Sequence, residues 1–141
     1  MIEWMNHYLL WALALLCLYF AYTDIRYQVI PNRWTHPLLL ILLLWRVVTF
    51  EWTCLYGLIP ALVLLLIFVI RPAAIGAGDI KLLAVIGLVG GLPIVLSTIF
   101  IMGWLCMFYA GVRIIRRQPV RHQFPLAPMI AVGYCLAILI I

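Results

Sequence analysis

The stretch GAGDIKLLAVIGLVGG, residues 76–91, places an aspartate and a lysine behind two glycines, at the head of a run that carries no other charge. Beyond Lys81 the run is apolar or glycine throughout, the composition of a helix enclosed by lipid or by protein, where a charge and an unpaired backbone are both costly. Outward from this stretch the contrast sharpens. Of 141 residues 69% are hydrophobic and 9% charged, and the mean hydropathy is +1.25, whereas soluble domains are about 45–50% apolar. The chain is therefore read as all-α and polytopic, a membrane protein whose residues 1–141 form a single integral-membrane domain, since so short a chain holds no second core. MIEWMNHY at the start has neither the basic segment nor the small-residue cleavage site of a signal peptide and is kept as part of the mature protein.

A bilayer core takes about 20 apolar helical residues. Six spans are predicted: Trp4–Thr23, Pro37–Phe50, Thr53–Ile70, Pro72–Leu92, Pro93–Ile115 and Phe124–Ile141. The cations test this division independently, because Lys and Arg gather on the cytoplasmic side. Arg26 and Arg33 fall in the first connection, Arg71 and Lys81 flank the third, and Arg113, Arg116, Arg117 and Arg121 occupy the fifth. Only Arg46 of the nine lies toward the other side. Both termini are thus expected outside, in a multi-pass protein of a bacterial or archaeal cytoplasmic membrane. The net charge of +5 is explained by a basic face against anionic lipid and calls for no nucleic acid.

The four acidic residues divide by position. Glu3 and Glu51 stand at outer ends of spans and read as ordinary interfacial charges. Asp24 closes the first span and Asp79 lies at the fourth, which brings two carboxylates to the cytoplasmic face from positions 55 residues apart in sequence. Each can be a local feature, a helix cap or an ion pair of Asp24 with Arg26 or Arg33 and of Asp79 with Lys81. Ionisable groups at membrane depth are also functional by default. A fourth span beginning near Pro72 carries Asp79 about 10 Å along its axis, and glycines at 76 and 78 loosen the backbone there, which lipid tolerates only where that backbone lines a cavity. A polar cavity opening to the cytoplasmic face is the expectation.

Two carboxylates in such a cavity can hold one proton between them. One then activates water as general base while its protonated partner donates to the scissile carbonyl, as in aspartic proteases, without cofactor or metal. Other chemistries find no support. His7, His36 and His122 lack ligand spacing, Cys17, Cys54, Cys106 and Cys135 form no CxxC, and neither GxSxG nor HExxH occurs.

GAGDIKLLAVIGLVGG at 76–91, together with DIRYQVIPNRWT at 24–35, resembles the paired motifs of the type IV prepilin peptidases, GxGD intramembrane aspartyl proteases. The resemblance implies an endopeptidase that removes the short basic leader of type IV prepilins or pseudopilins at the cytoplasmic face. Asp24 and Asp79 are then the catalytic pair, Gly76, Gly78 and Lys81 belong to the second motif, and Pro31 and Asn32 to the segment after the first. Pro125 and Pro128, in FPLAP, resemble the two-proline stretch at the family's last span. The implied partners are the leader with the start of the substrate's hydrophobic helix, and membrane lipids. Larger members add an N-terminal segment with four zinc-binding cysteines and methylate the new N-terminus. This chain shows nothing of the kind ahead of its first predicted span, so the short form, without methyl transfer, is expected. Leu126 and Ala127 stand where a Phe-Gly pair is often seen.

Two other readings use the same residues. A small cation- or proton-conducting subunit would bind an ion between Asp24 and Asp79 with hydroxyls and carbonyls, and an inactive helix bundle would pair each aspartate with its own cation.

Overall fold

The computed structural model describes residues 2–27, 32–71, 76–116 and 126–140, and all of its elements are helices. They are α1 (Ile2–Tyr27), α2 (Asn32–Val48), α3 (Trp52–Leu55), a 3₁₀ turn (Tyr56–Leu58), α4 (Ile59–Ile70), α5 (Ala77–Ile115) and α6 (Ala127–Ile140). Among the described residues three stretches are long and apolar enough to cross a membrane, His7–Tyr27, Trp52–Ile70 and Ala77–Ile115, and Thr35–Val48 and Ala127–Ile140 are shorter apolar helices.

Several ends differ from the sequence expectation. α1 continues to Tyr27 and so contains Asp24 in its last turn, and α2 begins at Asn32, a turn before Pro37. A proline removes one helical hydrogen bond and need not mark the first residue. α5 begins at Ala77 and not near Pro72, so Asp79 lies in its first turn and not 10 Å along a span. The backbone turns from extended to helical at Gly76 (φ −72°, ψ 134°), while Gly78 is already helical.

α5 is two helices joined at Gly91, whose φ of 71° and ψ of −174° lie in the region that favours glycine. Its 39 residues would measure about 58 Å if straight, nearly twice the hydrocarbon thickness of a bilayer. Pro93 comes just after the break, in the first turn of the second half, where the ladder of that half does not call on its missing N–H.

The first half of α5 is the centre of the molecule. Ile80 and Leu82 to Val89 are all buried, packed by Leu13, Cys17 and Phe20 of α1 and by Ile130 and Tyr134 of α6. An all-round apolar helix suits a position enclosed by other helices. Two close approaches set its neighbours. Gly57 of the 3₁₀ turn meets Gly87 backbone to backbone, so that a Cβ on either would strike the other's carbonyl, the small-residue contact by which membrane helices approach closely. Gly133 of α6 packs on the carbonyl of Thr98, and Tyr134 donates to the Leu10 carbonyl of α1 at 3.1 Å.

The turn after α2 corrects the reading of Glu51 as an ordinary interfacial charge. Phe50 takes φ 53°, Phe50 N–H donates to Val47 O at 3.3 Å and Glu51 N–H to Arg46 O at 3.2 Å, the two bonds of a Schellman motif. That motif folds Glu51 back onto Arg46, with which it forms an ion pair, and Arg46 is only 1% exposed.

An apolar cavity of about 120 Å³ opens between α1 and α2, with Leu13 and Leu16 on one wall, Leu38 and Leu42 on the other and Val89 of α5 at its floor.

Candidate active site

Asp24 and Asp79 arrive from different helices. α1 runs through Asp24 because its apolar sequence keeps helical pairing to Tyr27, while Asp79 is the third residue of α5, with its N–H bonded to Gly76 O at 3.2 Å and the N–H of Ile80 to the same oxygen at 3.4 Å. Both side chains are half-buried. They lie near enough for the Asp24 charge to act on Asp79.

Two helix starts converge on this pair. Asp79 sits in the first turn of α5, where unpaired N–H groups and the helix dipole favour a carboxylate. Asp24 accepts a hydrogen bond from the backbone N–H of Ala127, the first residue of α6. The sequence reading named Ala127 only as a departure from the family's Phe-Gly pair and did not foresee its N–H as a partner of Asp24. The signal available was the FPLAP stretch, since a helix that starts beside a proline leaves its first N–H groups without intrahelical partners.

The remaining predicted residues fall into three groups. Gly76 lies directly under the Asp79 carboxylate, a Cβ placed on it falling 2.8 Å from Oδ2. Gly78 and Lys81 share the first turns of α5 with Asp79, and Pro128 is the second residue of α6, next to Ala127. Asn32 opens α2, its side chain outside the described residues, and Pro31 and Pro125 also lie outside them. Arg26, one of the cations considered as an ion partner for Asp24, turns to the aromatic rings of Tyr22 and Tyr27 and donates to the Tyr22 hydroxyl.

Chemically, the arrangement offers two carboxylates of separate helices within electrostatic reach of one another, half out of water, with a backbone donor on one of them. Two carboxylates so placed can serve as acid and base in proton transfer.

Comparison with known proteins places the chain in a class. The profile of the type IV leader peptidase family matches residues 11–111, a span that takes in both aspartates. The chain belongs to the type IV leader peptidase family. It is 35% identical over 124 residues to the prepilin leader peptidase/N-methyltransferase of Bacillus subtilis (strain 168), an alignment covering 84% of this chain and 50% of that protein. The chain therefore spans about half the length of the curated relative it matches. No solved structure matches it.

Proposed function

We propose that this protein is an intramembrane aspartyl endopeptidase that cleaves the short basic leader from type IV prepilins or pseudopilins at the cytoplasmic membrane face. The observation that carries the reading is the approach of Asp24 and Asp79, two carboxylates that a helix bundle has no reason to set against each other. One takes the proton of the attacking water while the other, protonated, donates to the carbonyl of the scissile peptide. The carboxylates then exchange protons with the collapsing intermediate, and the leaving amine departs protonated.

The fold reading that goes with it has six crossings around a polar cavity. Its support is the set of contacts across Gly91. Asp24 neighbours both Asp79 and Ala127, and Gly133 touches Thr98 and Met102. These contacts are compatible when the second half of α5 runs back beside the first, so that Ala77–Gly90 and Leu92–Ile115 each cross once. The apolar cavity between α1 and α2, of about 120 Å³, suits an apolar side chain from the start of the substrate's hydrophobic helix, leaving the leader among the cytoplasmic loops.

Co-expression with candidate prepilins from the same genome, followed by mass measurement of the processed N-terminus, tests the activity and the cut site together. An unprocessed N-terminus with every candidate would reject the proposal. A processed one that persists in Asp24→Asn and Asp79→Asn chains would reject the pair.

A further inference from the structure

Arg46 is a cation embedded in an apolar helix, and the ion pair with Glu51 engages only part of its guanidinium. Nε donates to Leu88 O at 2.9 Å and Nη2 to Val89 O at 3.2 Å. These are two carbonyls that α5 cannot serve by itself. The helical partner of Val89 O is the amide of residue 93, and Pro93 has no N–H. The helical partner of Leu88 O is the amide of Leu92, beyond Gly91, whose φ of 71° and ψ of −174° break the ladder between them. Both residues are buried, so an unpaired carbonyl at either position would carry its full desolvation penalty.

We infer that Arg46 is the C-terminal cap of the first half of α5 and, through it, a positioning residue for Asp79. The planar fork of an arginine, with five N–H donors, reaches Leu88 O, Val89 O and Glu51 at once. Asp79 stands ten residues before Val89 on the same unbroken helix, about 15 Å along its axis. A helix that slides or unwinds at its capped end shifts the carboxylate at its start against Asp24, which is held separately by α1 and by the N–H of Ala127. The cap therefore sets the height at which the two carboxylates meet. The consequence for turnover rests on the peptidase function proposed for the pair; the consequence for geometry does not.

The test uses three variants of the full chain, with leader cleavage, detergent melting and a cross-linking rate as readouts. Arg46→Gln and Arg46→Lys remove the fork, and Arg46→Lys retains the charge for Glu51. Glu51→Gln retains an acceptor for Arg46 and leaves its carbonyl bonds in place. Both Arg46 variants are expected to lose about tenfold to a hundredfold in kcat with KM within about twofold, as misplacement of a reacting group by an ångström does. Glu51→Gln is expected to stay within about threefold of the unmodified chain, because an uncharged acceptor still holds the fork. Geometry is read by joining Asp24→Cys and Asp79→Cys with a short bismaleimide, in a chain whose four native cysteines are replaced by alanine. That rate should fall severalfold when Arg46→Lys is added and hold when Glu51→Gln is added.

An unchanged cross-linking rate in the Arg46→Lys chain overturns the proposal, as does a Glu51→Gln chain as impaired as Arg46→Gln, which would make the ion pair the whole of the effect. If Arg46→Gln fails to fold, Arg46→Lys carries the test. If the unmodified chain cleaves no prepilin, the peptidase reading falls, and the cross-linking rates still decide the role of Arg46.

Discussion

The Asp79 carboxylate lies over Gly76, so close that a methyl group on that glycine would fall 2.8 Å from Oδ2. Gly76 has φ −72° and ψ 134°, a backbone conformation that any residue adopts. Alanine there is therefore easily accommodated by the chain but displaces the carboxylate. Gly76→Ala is expected to leave the detergent melting temperature unchanged or slightly higher while lowering kcat for leader cleavage by about tenfold. Equal losses of stability and activity would show that Gly76 is there for packing.

The Gly57–Gly87 contact makes the opposite prediction. A Cβ on Gly87 meets the backbone of Gly57, which cannot step aside as a side chain does. Gly87→Ala should destabilise the fold by about 1–3 kcal/mol, the usual cost of overpacking, with activity falling only as folded protein is lost. Gly103→Ala is the control, since nothing lies within 4 Å of a Cβ at that position, and it should be neutral or stabilising by up to about 1 kcal/mol. Melting curves of the two variants side by side check this.

Asp24→Asn and Asp79→Asn should each reduce leader cleavage by at least about a thousandfold with melting temperatures little changed, since each removes a group that must exchange a proton. The double variant should be no worse than the more damaging single one, because residues that act as a unit are not additive. Rates measured on purified protein, with the melt recorded on the same samples, test both statements.

The cavity between α1 and α2 predicts a split in kinetic constants. Leu16→Trp fills one wall of it and lies two turns from Asp24, so it should raise KM for a full-length prepilin about fivefold with kcat nearly unchanged, the signature of lost uniform binding. A soluble leader peptide that ends before the hydrophobic helix should not feel the substitution. If both substrates respond alike, the cavity takes no part in substrate binding.

What the sequence determined by itself was whatever lipid makes local. A long, unbroken window of apolar residues is helical in a bilayer because a helix satisfies its backbone within the segment, whereas barrel strands are short and alternate, so the all-helical class and the apolar helices themselves were legible residue by residue. The break between the last residues of 76–91 and Pro93 was legible for a similar reason, a glycine pair ahead of a residue without an N–H. Asp24 and Asp79 stood out because charge is scarce in such a chain, and in the structure the Asp24 charge acts on Asp79. Tertiary structure alone decided what each polar group touches. Ala127 donates to a carboxylate 103 positions earlier in the chain, Arg46 serves the carbonyls of Leu88 and Val89, and Gly57 admits Gly87. None of these partners lies within a helical turn of the other, so no spacing announces it, and Arg46 and Glu51 read in sequence as charges at a membrane edge. Hydrogen bonds and close packing are satisfied in three dimensions by whichever groups the fold brings into reach; hydrophobicity, being additive along the chain, needs no such encounter.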